Sequence, residues 1–261
     1  MLAILLDRDG RRATLTLNRP PLNILDLDLL ARLDELLAGL RADEDLTILF
    51  LRGAGGRAFS AGVAVEDHAT DKVGGMLDGI HGAIRRLREL PAITVAAVSG
   101  HCLGGGMELA LSCDLVIASE DARFGQPEID LGCFPPAAAA LYPGRIGASR
   151  TLDLLLTGRT LGALEAERLG LIDRLIGRPG GVGAGDELTA GIESLAAELA
   201  GKSAAVVRLI KRAVRAGRDL SFPDALAATE RIYREELCAI ADMEEGIAAF
   251  LAKRRPVWKH R

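Results

Sequence analysis

The stretch Gly100-His101-Cys102-Leu103-Gly104-Gly105-Gly106-Met107-Glu108-Leu109-Ala110, continued by Cys113-Asp114 and by Phe124-Gly125-Gln126-Pro127-Glu128, decides how this chain is to be read. A buried-type strand over Ile93–Val98 runs into a turn at Gly100–Gly105. A helix is predicted from Gly106 to Ser112 and a strand over Leu115–Ala118. Gly105 therefore falls at a helix N-terminus, where backbone N–H groups lack intrahelical partners and the dipole is positive. Without a Cβ, the triple glycine lets an N–H approach a ligand oxygen, and an oxyanion placed there is stabilised. A tight turn that packs helix against strand is the alternative, and for the glycines alone it is the commoner one.

Glu108 and Glu128 stand twenty residues apart, each in a turn marked by glycine or proline. Glu108 lies in the first helical turn, where the dipole favours any glutamate. Glu128 follows a proline, and a turn carboxylate bonded to local N–H groups is its plain alternative. Taken as a pair, they can divide acid and base work. A second glycine turn, Ala58-Phe59-Ser60-Ala61-Gly62-Val63-Ala64-Val65, is able to offer another N–H, although taken alone a plain strand-exit turn is the better account of it.

Outward from this segment the pattern is strand–helix alternation with short links, which predicts an α/β core. Strands are expected at Ala3–Leu6 and Ala13–Leu17 around a polar Asp7–Arg12 turn, and at Thr47–Leu51. Leu27 to Leu40 and Val73 to Leu90 show helical spacing, the first with Asp26 or Asp28 as cap and the second stopped by Pro91. Ser149–Leu156 and Leu164–Leu169 are expected helices and Leu171–Ile176 a last strand. Gly177–Gly185 reads as a glycine-rich linker, followed by helices over Glu187–Ala200, Ala204–Ala216, Pro223–Ile240 and Met243–Ala252. The expected division is a core over 1–180 and a helical region over 181–261. The broad apolar faces of those last helices predict packing on the core and on neighbouring subunits.

Of the 261 residues, 49% are hydrophobic and only 3% aromatic, so Ala, Leu, Ile and Val must build the core. The formal net charge of −4 argues against a nucleic-acid partner, which calls for a basic face. The four cysteines show neither metal-ligand spacing nor a secreted framework; buried free thiols in a reducing cytoplasm are expected. The N-terminus lacks a basic region and a long apolar run, so no signal peptide is expected. No apolar stretch approaches the ~20 residues of a membrane span, and no membrane association is expected.

Ala61-Gly62-Val63, the Gly104–Ala110 segment, Cys113-Asp114 and Phe124–Glu128 together resemble the signature of the enoyl-CoA hydratase/isomerase (crotonase) family. The resemblance covers nearly the whole chain and is specific from Gly100 to Gly132. It implies a spiral of repeated ββα units with a C-terminal helical oligomerisation region, as a homotrimer or dimer of trimers. It implies an acyl-CoA substrate, with no metal and no cofactor beyond the coenzyme A of the thioester. By position, the N–H groups of Val63 and Gly105 match the oxyanion hole, and Glu108 and Glu128 the two catalytic glutamates of the hydratase branch. Ala61, Gly62, Ala64, His68, Gly104, Pro135 and Pro136 are the expected substrate-binding positions.

The chain departs from the ordinary hydratase pattern after the second glutamate. Gly132-Cys133-Phe134-Pro135-Pro136-Ala137-Ala138-Ala139-Ala140 replaces a glycine-rich run, which stiffens the backbone and adds volume. Ala64 stands where an Asp often follows the oxyanion residue, with Glu66-Asp67-His68 just beyond. These features resemble the cyclohexa-1,5-dienecarbonyl-CoA hydratase branch; a general hydratase with a drifted loop is the alternative. Asp130 falls beside Glu128 if the segment is extended, which keeps a dienoyl-CoA isomerase in view; a solvated carboxylate is the plainer account. A non-catalytic RNA-binding member is disfavoured by the acidic charge. His68, His81 and His101 lack partners that would make a triad or metal site. Lys253, Arg254, Arg255, Lys259 and Arg261 are either a solubilising end or a pairing surface for CoA phosphates.

Overall fold

The computed structural model describes residues 3–177 and 184–260. The chain opens with an antiparallel pair, β1 (Ile4–Asp9) and β2 (Arg12–Leu17), whose register joins Asp9 to Arg12 across Gly10 and Arg11. The polar turn expected over Asp7–Arg12 is thus reduced to two residues. Gly10, at φ 55°, supplies the left-handed conformation that a two-residue hairpin loop demands. Helix α1 (Leu27–Arg41) follows, its first turn capped by the Asp26 carboxylate accepting from the Leu29 N–H at 3.0 Å.

Two turns of a repeating ββα unit come next. The first is β3 (Ile48–Gly53), β4 (Ala58–Ser60) and α2 (Val73–Glu89); the second is β5 (Ile93–Val98), β6 (His101–Leu103) and α3 (Gly105–Leu111). A third begins with β7 (Leu115–Ser119) and β8 (Arg123–Gly125). It then passes through α4 (Pro136–Leu141), α5 (Pro143–Ile146), α6 (Ala148–Thr157), β9 (Thr160–Gly162), α7 (Ala163–Leu169) and β10 (Arg174–Ile176). Each unit places one strand in a six-stranded sheet, ordered β1-β2-β3-β5-β7-β10, and one in a four-stranded sheet, ordered β4-β6-β8-β9. The spiral of ββα units implied by the resemblance is present.

The second sheet was not legible in the sequence. Its strands are three residues each, too short for period-two alternation to register. The last strand is also shorter than expected, since only Arg174–Ile176 pairs, in parallel with β7.

Beyond lie α8 (Ala184–Ala200), α9 (Ala204–Ala216), α10 (Phe222–Glu235) and α11 (Ala241–Leu251). The expected Gly177–Gly185 linker falls largely on residues 178–183, outside the described residues, and α8 begins at Ala184 within it. The helix expected over Pro223–Ile240 ends at Glu235; one 3-10 turn over Leu237–Ala239 follows before Ile240 turns extended.

Both faces of the large sheet are covered, as its parallel centre requires. Leu49, Leu51, Ala96 and Val98 face α1 and α2 in the main core. On the other side Phe50, Val95, Ala97 and Ile117 meet Leu188, Ile192 and Leu195 of α8. Successive residues of β3 and β5 serve opposite cores, which is why these strands read as continuous apolar runs. Lys211 on α9 is buried, and its Nζ donates to the Ala92 carbonyl at 2.5 Å and pairs with Asp114 at 2.6 Å. Arg215 adds a second cation to Asp114 at 2.7 Å. Helix α9 is thereby tied to the ends of β5 and β7.

Among the cysteines only Cys102 and Cys113 are buried; Cys133 is half-buried and Cys238 exposed, so the expectation of four buried thiols is corrected. Cys238 lies in the surface 3-10 turn, where no core exists to cover it. Arg254 is engaged with Glu245 at 2.6 Å, while the Lys259 and His260 N–H groups donate to Asp242. The basic end is thus latched onto α11; Arg261 lies outside the described residues. No helix among the described residues is long and apolar enough to cross a membrane.

Candidate active site

The site is assembled where β4, β6 and β8 end side by side in the small sheet, β6 and β8 in continuous register and β4 shifted against β6 between Ala58 and Ser60. The first wall is the turn after β4. The Ser60 hydroxyl accepts from the Gly62 N–H at 3.1 Å. Leu25 brackets Val63, its N–H donating to the Gly62 carbonyl at 2.9 Å and its carbonyl accepting from the Ala64 N–H at 3.3 Å. Buried Asn23 steadies this corner by donating to the carbonyls of Ala54 and Ala58.

The second wall is the triple glycine, and each of its members stands against a different group. A Cβ on Gly104 would lie 2.5 Å from Glu128 Oε1, one on Gly105 2.7 Å from Val63 Cγ2, and one on Gly106 2.6 Å from the Ser60 carbonyl. Gly104 also holds φ 50°, ψ −131°, a conformation that L side chains avoid. The close-packing account of the glycines holds at Gly106, where helix and strand touch, while Gly104 and Gly105 line the cavity. Gly105 begins α3, so its N–H has no intrahelical acceptor. The backbones of the two turns meet here: the Gly105 Cβ position is 3.6 Å from the Val63 nitrogen, and that of Gly62 is 3.5 Å from the Gly105 nitrogen.

Two carboxylates close the site. Glu108, 4% exposed, comes from the first turn of α3, and its Oε1 accepts from the Ala138 N–H in the first turn of α4 at 2.8 Å. Burial pushes its carboxyl above the usual range, opposed by the N–H groups of Ala138 and Ala137. Glu128, 9% exposed, sits on a 3-10 turn over Pro127–Leu131. Burial raises its pKa to about 7, against its own backbone N–H and with help from the charge on Glu108.

A cavity of about 450 Å³ joins these groups. Among the residues singled out in the sequence, Ala61, Gly62, Val63, His68, Gly104, Gly105, Glu108, Glu128, Pro135 and Pro136 line it. Ala64 lies just behind the wall, its carbonyl bonded to His68 Nδ1 at 3.2 Å. Sequence reasoning missed the apolar wall. Val73, Met76, Leu77 and Ile80 come from the inner face of α2, and Leu131 and Phe134 from the loop after Glu128. The helical periodicity of α2 marked that face as apolar without saying what it would enclose.

Asp130 does not join Glu128. Pro127 starts a 3-10 turn rather than an extended segment, so residues two apart point in different directions; Asp130 is exposed while Glu128 is buried. His101 is exposed at the start of β6, and half-buried His81 lies on α2 with its pKa lowered by burial and by Arg85. Among the described residues no group of His, Cys, Asp and Glu could hold a metal ion.

Two buried carboxylates and the Val63 and Gly105 turns thus face one largely apolar cavity. The enoyl-CoA hydratase/isomerase family model matches residues 10–261. A cyclohexa-1,5-dienecarbonyl-CoA hydratase of Thauera aromatica is 38% identical over 260 residues, spanning 100% of this chain and 97% of that protein. A probable enoyl-CoA hydratase of Rhizobium meliloti is also 38% identical, over 99% of this chain and 98% of its own length. The crystal structure of an enoyl-CoA hydratase from Bacillus anthracis superposes with a TM-score of 0.92 at 30% identity, covering both chains completely. The chain belongs to the enoyl-CoA hydratase/isomerase family. Its fold is the crotonase fold, and it is a hydratase-like enzyme of acyl-CoA metabolism.

Proposed function

We propose that the enzyme adds water to the double bond of an α,β-unsaturated acyl-CoA, with the Val63 and Gly105 N–H groups as oxyanion hole and Glu108 and Glu128 as the catalytic pair. The observation that carries this is the burial of both carboxylates in one cavity, against the glycine turn that offers the N–H groups. Charge developing on the thioester oxygen is stabilised by N–H donors that need no reorganisation. The two environments separate the roles. Glu128, with a pKa of about 7, holds a proton near neutrality, whereas Glu108 is clamped as an acceptor by Ala138. Glu108 orients a water and takes its proton as the oxygen adds to Cβ; Glu128 delivers its proton to Cα. Return of the proton from Glu108 to Glu128 through solvent closes the cycle.

The acyl group we propose is cyclic and dienoyl. Support comes from the Pro135-Pro136 turn, which stiffens the floor beside Glu128, from Phe134 at the mouth, and from the identity to the Thauera aromatica protein. The exposure of Asp130 removes the feature that favoured an isomerase. A homotrimeric assembly, singly or doubled, accounts for the exposed apolar residues Phe222, Leu226 and Tyr233 of α10 and Phe250 and Leu251 near the end of the chain. No nucleic acid, membrane, metal or additional cofactor enters this function, and a cytoplasmic setting suits it.

Hydration of crotonyl-CoA and cyclohexa-1,5-dienecarbonyl-CoA, measured side by side, tests the proposal. Preference for the ring, abolished by Glu108→Gln and by Glu128→Gln, is the expected result. Preference for the linear ester overturns the ring assignment alone. Activity unaffected by either substitution overturns the mechanism.

A further inference from the structure

Behind Glu128 lies a buried polar chain that the mechanism does not use. Gln126 and Tyr142 are both fully buried, at 0% exposure, Gln126 just before the 3-10 turn and Tyr142 between α4 and α5. The amide of Gln126 sits between the tyrosine hydroxyl, 2.5 Å from one end, and the Glu128 carboxyl, with Oε2 at 3.0 Å and Oε1 at 3.2 Å from the other. An amide can face either way, and its neighbours decide which.

The tyrosine hydroxyl decides it. Among the described residues, Gln126 is the one hydrogen-bond partner of Tyr142 Oη. If the amide NH₂ faced Tyr142, the hydroxyl proton would be buried without an acceptor, and the amide oxygen would oppose the Glu128 carboxylate. If the hydroxyl donates to the amide oxygen, the NH₂ donates to both carboxylate oxygens and every group is satisfied. Burial and the nearby Glu108 hold the phenol neutral and able to donate.

We propose that Tyr142 is a positioning residue for the hydration chemistry: through Gln126 it keeps a hydrogen-bond donor on the inner side of Glu128, so that the acid proton of Glu128 faces the cavity. With the amide reversed, its oxygen would accept that proton and hold it away from the substrate. The inference rests on the assignment of Glu128 as the acid. The other titratable groups around Glu128 are Glu108 from α3, which raises its pKa, and the Cys133 thiol, which lies 3.4 Å from the Glu128 backbone carbonyl. Neither can supply the donor that Gln126 does: Glu108 is itself an acceptor, and the Cys133 thiol is engaged with the backbone.

The test combines Tyr142→Phe with Gln126→Met, which removes the donor while keeping the length. Carboxyl difference infrared titration of the substrate-free protein reads Glu128 directly, its band identified by loss in Glu128→Gln. Both variants should raise the Glu128 pKa by about one unit. They should lower kcat about tenfold, with KM changed less than twofold. The limb of the kcat profile that falls at high pH should move upward with the titration. A merely structural role would lower the melting temperature and leave both the band and the limb where they are, which would overturn the proposal. If the band shifts as expected but the unaltered enzyme hydrates neither ester, the hydratase assignment fails and the positioning of Glu128 stands.

Discussion

Gly104 and Glu128 touch: a single methyl group added to Gly104 would come within 2.5 Å of Glu128 Oε1. The glycine turn that presents α3 thus also bounds the buried Glu128 carboxyl.

Gly104→Ala should be severe in activity. The added Cβ requires a side-chain conformation at φ 50° and drives Glu128 out of place. Strain of this kind costs about 1–3 kcal/mol, and displacing an acid–base group typically costs 10²-fold or more. Steady-state kinetics with crotonyl-CoA, set beside thermal denaturation, should show kcat falling far more than stability explains.

The raised pKa of Glu128 makes stability depend on pH in a definite direction. Its folded value of about 7 lies above the ordinary carboxyl value of 4.5, so the folded state binds the proton more tightly. The contribution is fully present below the unfolded pKa and is lost as pH rises through about 7. The change amounts to no more than roughly 3 kcal/mol. Glu128→Gln removes this dependence, and urea titrations at pH 5 and pH 8 should show the variant gaining on the native protein at the higher pH.

Lys211→Met tests the anchor of α9. The substitution leaves the Ala92 carbonyl and one oxygen of Asp114 without their buried cation, although Arg215 still holds the other oxygen. Breaking a buried pair costs about 3–5 kcal/mol, and the remaining arginine should hold the loss near the lower figure. Chemical denaturation reads it. Turnover at a temperature where the variant is folded should stay within a few-fold, because α9 contributes no residue to the cavity wall.

Cys133 lines the cavity, and burial together with the Glu128 charge raises its thiol pKa. It should alkylate slowly, and a bound acyl-CoA should slow it several-fold further. Cys102 and Cys113, buried with thiols pushed well up and up to about 12 respectively, should react only on unfolding. Peptide mass spectrometry after timed iodoacetamide treatment separates the three.

Helices α1, α2 and α9, the strand Ile93–Val98 and the helix start near Gly105 were legible in the sequence to within a few residues. Their signals are local: apolar spacing, the Asp26 cap and the stop at Pro91. The small sheet was not, because three-residue strands acquire their identity from the partners they meet. Of the two readings of Asp130, the solvated carboxylate holds, since Pro127 opens a 3-10 turn and not the extended segment that would have set Asp130 beside Glu128; which of the two forms depends on what receives Glu128.

The sequence by itself determined the residue types at the site: glycines able to adopt Gly104's conformation, a glutamate in the first turn of α3, and a second one after a proline. It also determined the family, through the motif from Gly100 to Gly132. Only the tertiary structure decided that the Val63 and Gly105 turns meet, that α4 bonds Glu108, and that Tyr142 reaches Gln126 behind Glu128. It also decided the proton affinities of the two carboxyls. Backbone preference acts between neighbours in the chain. Desolvation and hydrogen bonding depend on which distant segments cover a group, and those are fixed only when the sheets and helices close over the cavity.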